Sequence, residues 1–120
     1  MENFSLGLVE GHFADIVWKN EPMSTKELVT ICREELNWQR TTTNTVLKKL
    51  CERGLFTMEN SIVRAQITRD EFYAIQSENF VSNAFSGSLP AFIASFASRK
   101  KLTTEEITEI KAMIDNFGKE

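Results

Sequence analysis

Hydroxyls, an amide and two lysines crowd one short stretch of this chain, Thr41-Thr42-Thr43-Asn44-Thr45-Val46-Leu47-Lys48-Lys49-Leu50. Thr43, Val46, Leu47 and Leu50 recur at the three- and four-residue steps of a helix that buries one side. The other side carries Thr42, Asn44 and Thr45 near its start and Lys48 and Lys49 a turn later. Short groups that donate and accept hydrogen bonds suit the base edges of a DNA major groove, and lysines beyond them would meet phosphate. Gly54 fits the left-handed position that closes a helix, so the pattern predicts a helix over about 41–53. A solvated amphipathic helix would show the same spacing, and the flanking elements decide between the two.

After the helix comes a strand-like run, Leu55-Phe56-Thr57-Met58, then a turn at Glu59-Asn60-Ser61 and a second run, Ile62-Val63-Arg64-Ala65-Gln66-Ile67. Helix followed by tight hairpin is the order of a winged helix, with the wing near 57–67. Upstream, Ser24-Thr25-Lys26-Glu27 is a capping box, in which serine and glutamate each satisfy a free amide at a helix start. It opens a helix bearing Leu28, Ile31, Cys32 and Leu36, which would pack on the reading helix. Before that, Phe13, Ile16 and Val17 mark a further amphipathic helix, with Trp18 near its end.

The second half is helical. Thr68-Arg69-Asp70-Glu71 is another capping box, leading through Phe72, Ile75, Phe80, Val81 and Phe85 to a break at Ser86-Gly87-Ser88. Leu89-Pro90 starts a helix with Phe92, Ile93 and Phe96, and Thr103-Thr104-Glu105-Glu106 caps a last one with Ile107, Ile110, Met113, Ile114 and Phe117, ended by Gly118. So apolar a tail is too small to bury its own surface. Pairing with a second copy through Phe92, Phe96, Ile107, Ile110 and Ile114 is the natural outlet; the competing arrangement folds the tail back over the first helix of its own chain. A two-fold dimer would set two reading helices one helical turn apart on an inverted repeat. The expected architecture is therefore mostly α with a small β-hairpin wing: a winged helix-turn-helix DNA-binding domain over 1–69 and a helical dimerisation domain over 70–120.

Composition narrows the function. The chain has 120 residues, 42% of them hydrophobic, enough for one compact domain or two small ones. No apolar stretch approaches a membrane span, and Met1-Glu2-Asn3-Phe4 lacks the pattern of a signal peptide, which predicts a cytoplasmic protein without a membrane partner. Cys32 and Cys51 sit at apolar helix positions and read as free buried thiols. With His12 they lack metal-ligand spacing, so no metal site is expected. His12 has no evident nucleophile partner and no glycine-rich phosphate loop occurs, so neither catalysis nor a cofactor is expected.

Net charge is −3, which argues against a general nucleic-acid coat protein. Its distribution is uneven. From Gln39 to Arg69 six cations (Arg40, Lys48, Lys49, Arg53, Arg64, Arg69) face two anions (Glu52, Glu59), a local balance of +4, and the rest of the chain carries −7. Positive charge gathered on the helix and wing of an acidic body suits site-specific DNA binding, with Arg40, Lys48, Lys49 and Arg64 as the phosphate-contacting candidates.

From about Leu6 to Phe117 the chain resembles the penicillinase-repressor (BlaI/MecI/CopY) family of bacterial transcription regulators. The residues that carry the resemblance are Trp18, Thr25-Lys26-Glu27-Leu28, Trp38, Thr42 with Thr45, Val46, Leu47 and Leu50, Gly54-Leu55, then Gly87-Ser88-Leu89, Phe96, Leu102-Thr103 and Glu105-Glu106-Ile107. The specific signal is their shared order and spacing. The resemblance implies a winged-helix homodimer that represses operons by binding dyad-symmetric operators on double-stranded DNA. Carried across by position, Thr41, Thr42, Asn44 and Thr45 would face bases, and Lys48 and Arg64 phosphates.

Departures from the family pattern matter too. Its copper-responsive branch has Cys-x-Cys pairs near the C-terminus, whereas no cysteine follows Cys51 here. In its β-lactam-responsive branch a protease cuts an Asn-Phe bond that corresponds to Ser95-Phe96, which brings a regulatory protease or sensor protein among the implied partners. Ile62 and Val63 replace frequent tyrosines in a shortened wing, and Gly11 a frequent tryptophan. Asn44 stands where a basic residue is common, which points to a different operator sequence. The alternative reading keeps the winged helix as a protein-interaction module without sequence-specific DNA binding; a DNA reader loses affinity steeply with salt, and an apolar protein interface does not.

Overall fold

A computed structural model describes residues 6–119. The elements run α1 (Leu8–Asn20), β1 (Met23–Ser24), α2 (Thr25–Leu36), α3 (Arg40–Glu52), β2 (Phe56–Glu59), β3 (Ile62–Ala65), α4 (Arg69–Ala84), α5 (Leu89–Arg99) and α6 (Thr104–Phe117). Chain contacts divide them into two compact units that meet between Glu78 and Asn79, inside α4.

Helix starts follow local chemistry. Ser24 Oγ accepts from the Glu27 amide at 3.0 Å while Glu27 Oε1 accepts from the Ser24 amide at 3.2 Å. Thr68 with Glu71 and Thr103 with Glu106 form the same reciprocal pairs at 2.8–3.1 Å. Each pair satisfies amides that have no partner within their own helix. Ser24→Ala should therefore lower the stability of the first unit by about 1 kcal/mol, read as a shift in its thermal midpoint.

The helix ends are equally local. Asn37 (φ 56°) stops α2 and Gly54 (φ 88°) follows α3, both in the left-handed region that a residue with a large Cβ branch avoids. The turn of the wing uses two such residues, Asn60 (φ 52°) and Ser61 (φ 63°). Positive φ at both central positions is the hairpin turn whose twist matches that of the strands.

The wing differs from a bare hairpin. Its strands stop at Glu59 and Ala65, short of the expected Ile67, and a third strand joins them: β1 pairs antiparallel with β3, Met23 opposite Val63 and Ser24 opposite Ile62, giving the order β1-β3-β2. The Thr25 amide adds a bond to the Ser61 carbonyl at 2.9 Å, so the start of α2 holds the turn of the wing. Beyond Ala65 the ladder gives way: the Gln66 and Ile67 amides both donate to the Leu55 carbonyl, at 2.9 and 3.4 Å, and Trp18 Nε1 donates to the Ile67 carbonyl at 2.9 Å just before α4 begins.

The core of the first unit joins Phe13 and Val17 of α1, Leu28 and Cys32 of α2, Leu47 and Leu50 of α3, Leu55, Phe56, Val63 and Phe72. Trp18 lies edge-on to Phe56 at 5.5 Å and tilted against Phe72 at 5.5 Å, and Phe13 stacks on Trp38 at 5.6 Å. Phe72 belongs to α4, so the opening of that helix completes the core of the winged unit.

The second unit is built differently. Phe80, Phe85 and Phe92 meet edge to face at 5.6–6.0 Å, yet neither α5 nor α6 buries a single residue. Among the described residues no single helix is long and apolar enough to cross a membrane.

Candidate nucleic-acid interface

Helix α3 presents two unlike sides. Thr43, Leu47 and Leu50 are buried, whereas Arg40, Thr41, Thr42, Asn44, Thr45, Lys48 and Lys49 are all exposed. The division follows from the helical period, since the buried residues are three or four apart and the core lies on one side only. Thr43 is the polar exception. Its hydroxyl is fully buried and makes no hydrogen bond of sound geometry, and the weakly polar Cys32 thiol is the group it acts on.

The leading end of α3 is open. Gln39 makes no side-chain cap and the first turn contains no acid, in contrast to the capped, acidic starts of α2 and α6. Uncapped amides and the positive end of the helix dipole thus stand beside Arg40, Thr41 and Thr42, an arrangement that favours an anion such as a phosphate.

The strands complete the face. A concave region of about 500 Å³ lies between α3 and the wing, bordered by Asn44, Lys48 and Glu52 with Thr25 and Met58. Arg64 projects from β3, exposed, opposite Thr57 of β2. Ile62 and Val63 both pair in the sheet, Val63 fully buried, so the side chains the wing offers to a ligand are Arg64 and the half-exposed Met58.

Lys49 is placed differently from Lys48. Its ammonium lies 2.7 Å from Glu10 Oε2 of α1, and Arg53 approaches Glu10 Oε1 at 3.9 Å. The Glu10 carboxyl is held below its ordinary range, first by the hydrogen bond with Lys49 and then by the Gly7 amide. What this pairing contributes to stability is present above the unfolded carboxylate pKa and fades as acid titrates Glu10 through its lowered folded value. Glu10 and Lys49 are far apart in sequence and carry no shared period, so sequence reasoning did not join them.

Cys32 is buried and Cys51 half-buried, both are free, and burial pushes both thiols up. Protonated thiols in apolar surroundings are poor nucleophiles and poor ligands. Among the described residues no group of His, Cys, Asp and Glu is arranged to hold a metal ion.

In the second unit Phe96 is 49% exposed, Ile107 40% and Ile114 58%, with Phe92 and Ile110 half-buried. Leu89, Met113 and Phe117 extend the exposed apolar set.

Comparison with known proteins adds a family. The model of the penicillinase repressor family matches residues 6–116. A penicillinase repressor of Bacillus licheniformis is 20% identical over 104 residues, which cover 83% of this chain and 81% of that protein. A solved structure of Staphylococcus aureus MarR in complex with salicylate and kanamycin aligns with 94% of this chain and 71% of its own, at 14% identity and a TM-score of 0.47.

Proposed function

This chain belongs to the penicillinase repressor family, and we propose that it is a homodimeric transcriptional repressor, without catalysis, that reads a dyad-symmetric operator through α3. Members of that family are regulators rather than enzymes. The observation that carries the reading is the exposed polar face of α3 on a helix with an uncapped, acid-free start. Thr41, Thr42, Asn44 and Thr45 are the base-contacting residues of this proposal, and Arg40, Lys48 and Arg64 the phosphate-contacting ones. Lys49 joins the latter group only when it leaves Glu10.

Pairing is the second half of the proposal. The region over 70–120 joins two copies through Phe92, Phe96, Ile107, Ile110 and Ile114, and 1–69 reads the half-site. Two amphipathic helices with no buried residue support it, because apolar faces of that size stay wet in a lone chain. Repression of this kind operates in the cytoplasm. A regulatory protease or sensor protein that acts on the tail, near Ser95-Phe96 or elsewhere, would relieve it by separating the two readers.

Selection from a random double-stranded DNA pool tests the reading. The expected product is an inverted repeat with half-sites about 34–36 Å apart, one helical turn. Retention of all sequences alike would overturn it in favour of the interaction module. On the selected site, Asn44→Ala should cost about 1–3 kcal/mol and relax preference at one base position. Lys48→Ala should weaken operator and scrambled DNA alike and flatten the salt dependence. Equal losses on both DNAs for the Asn44 variant would remove it from base reading.

A further inference from the structure

We infer that Glu10 is an intramolecular stand-in for a DNA phosphate: it holds Lys49 in the free protein and so limits how strongly α3 grips any DNA backbone. The inference rests on the DNA-reading function proposed above and adds to it a residue outside the reading helix that sets nonspecific affinity.

The geometry gives the carboxylate two jobs. Glu10 Oε1 accepts from the Gly7 amide at 3.2 Å, which anchors the side chain at the start of α1. Its other oxygen meets Lys49 Nζ at 2.7 Å. Glu10 is thus fixed by its own helix and largely covered, at 22% side-chain exposure, whereas Lys49 keeps 57% of its side chain in solvent. The anchored partner is the acid and the free arm is the lysine. Arg53, 3.9 Å from Glu10 Oε1, brings a second cation of the same helix end into the pair.

Lys49 also lies where a phosphate contact would form. Thr42, Thr45 and Lys49 follow one another at three- and four-residue steps along α3, so Lys49 extends the exposed stripe of the proposed reading face by one turn. Lys49 leaves Glu10 only against the attraction of an anchored, largely covered carboxylate, a pair less screened than one between two fully exposed side chains. Engagement of a phosphate by Lys49 must therefore displace Glu10, and the exchange of one anion for another cancels most of the gain. Because phosphate contacts carry no base information, a restraint on Lys49 lowers affinity for all DNA by the same factor. It thereby suits a repressor with net charge −3 that must leave bulk DNA readily.

The test compares the wild-type protein, Glu10→Gln and the double variant Glu10→Gln with Lys49→Ala, on the pool-selected operator and on a scrambled duplex, across a salt series. Glutamine keeps the bond from Gly7 and removes the charge. Glu10→Gln should bind both duplexes several-fold more tightly, with a plot of log affinity against log salt steeper by about 0.9, the slope of one further phosphate. The double variant should lose that gain. An unchanged slope in Glu10→Gln, beside specific operator binding by the wild type, would overturn the inference and leave the repressor reading standing. A gain that survives in the double variant would also overturn it, since the effect would then come from net charge alone. Salt-insensitive binding by all three proteins would overturn both readings together.

Discussion

Ile114→Asp should convert a dimer into monomers and lower operator affinity by about two orders of magnitude or more. Ile114 is 58% exposed in the single chain, on a helix that buries nothing. Its removal therefore costs the fold of one chain little, while a carboxylate in an apolar interface stays charged and unpaired, at a cost of several kcal/mol. Loss of pairing then acts on DNA binding by arithmetic rather than by contact. A second reading helix held on the same dyad binds at an effective concentration near millimolar, and separate monomers forfeit that linkage, worth about 10²–10⁴ in apparent affinity. Sedimentation gives the oligomeric state and a titration of the selected operator gives the affinity. Monomers that still bind operator at wild-type strength would detach DNA reading from pairing. A persistent dimer would place the interface elsewhere on the second unit, with Leu89 and Phe117 the next residues to change.

Phe13→Ala should unfold the winged unit under conditions where the wild type is intact. Phe13 is fully buried and stacks on Trp38 at 5.6 Å, directly before α3 begins. Removing a buried phenyl ring costs about 3–5 kcal/mol, through lost transfer energy and the cavity left behind. Domains are stable by only about 5–15 kcal/mol in total, and a small unit stands near the low end. Denaturant unfolding followed by tryptophan fluorescence should show the midpoint collapse, with the emission of Trp38 and Trp18 already red-shifted in buffer. Phe13→Leu, which keeps most of the volume, should lose far less. Near-wild-type stability in the alanine variant would mean that the Phe13–Trp38 stack is not the joint between α1 and the reading helix. Operator binding should track the folded fraction of each variant, because none of the exposed residues of α3 is altered.

Whatever depends on neighbours within a turn was legible in the sequence. Phe13, Ile16 and Val17 on α1 and Thr43, Leu47 and Leu50 on α3 declare their buried faces by period alone. Ser24 with Glu27, Thr68 with Glu71 and Thr103 with Glu106 declare their helix starts because both partners of a capping box lie three residues apart. The apolar tail likewise announced helices with more hydrophobic surface than one chain covers. Tertiary structure alone decided what depends on residues distant in the chain. Met23–Ser24 is too short for any period and becomes a strand only because Ile62 and Val63 offer it free backbone groups. Trp18 donates to the Ile67 carbonyl just before α4, a bond across 49 positions that no local pattern announces. Two adjacent lysines, alike in type and exposure, separate only in three dimensions: Lys49 meets Glu10, whereas Lys48 borders the concave face between α3 and the wing. Local spacing encodes which elements form and which sides they bury; which charge faces which is settled only when distant segments pack.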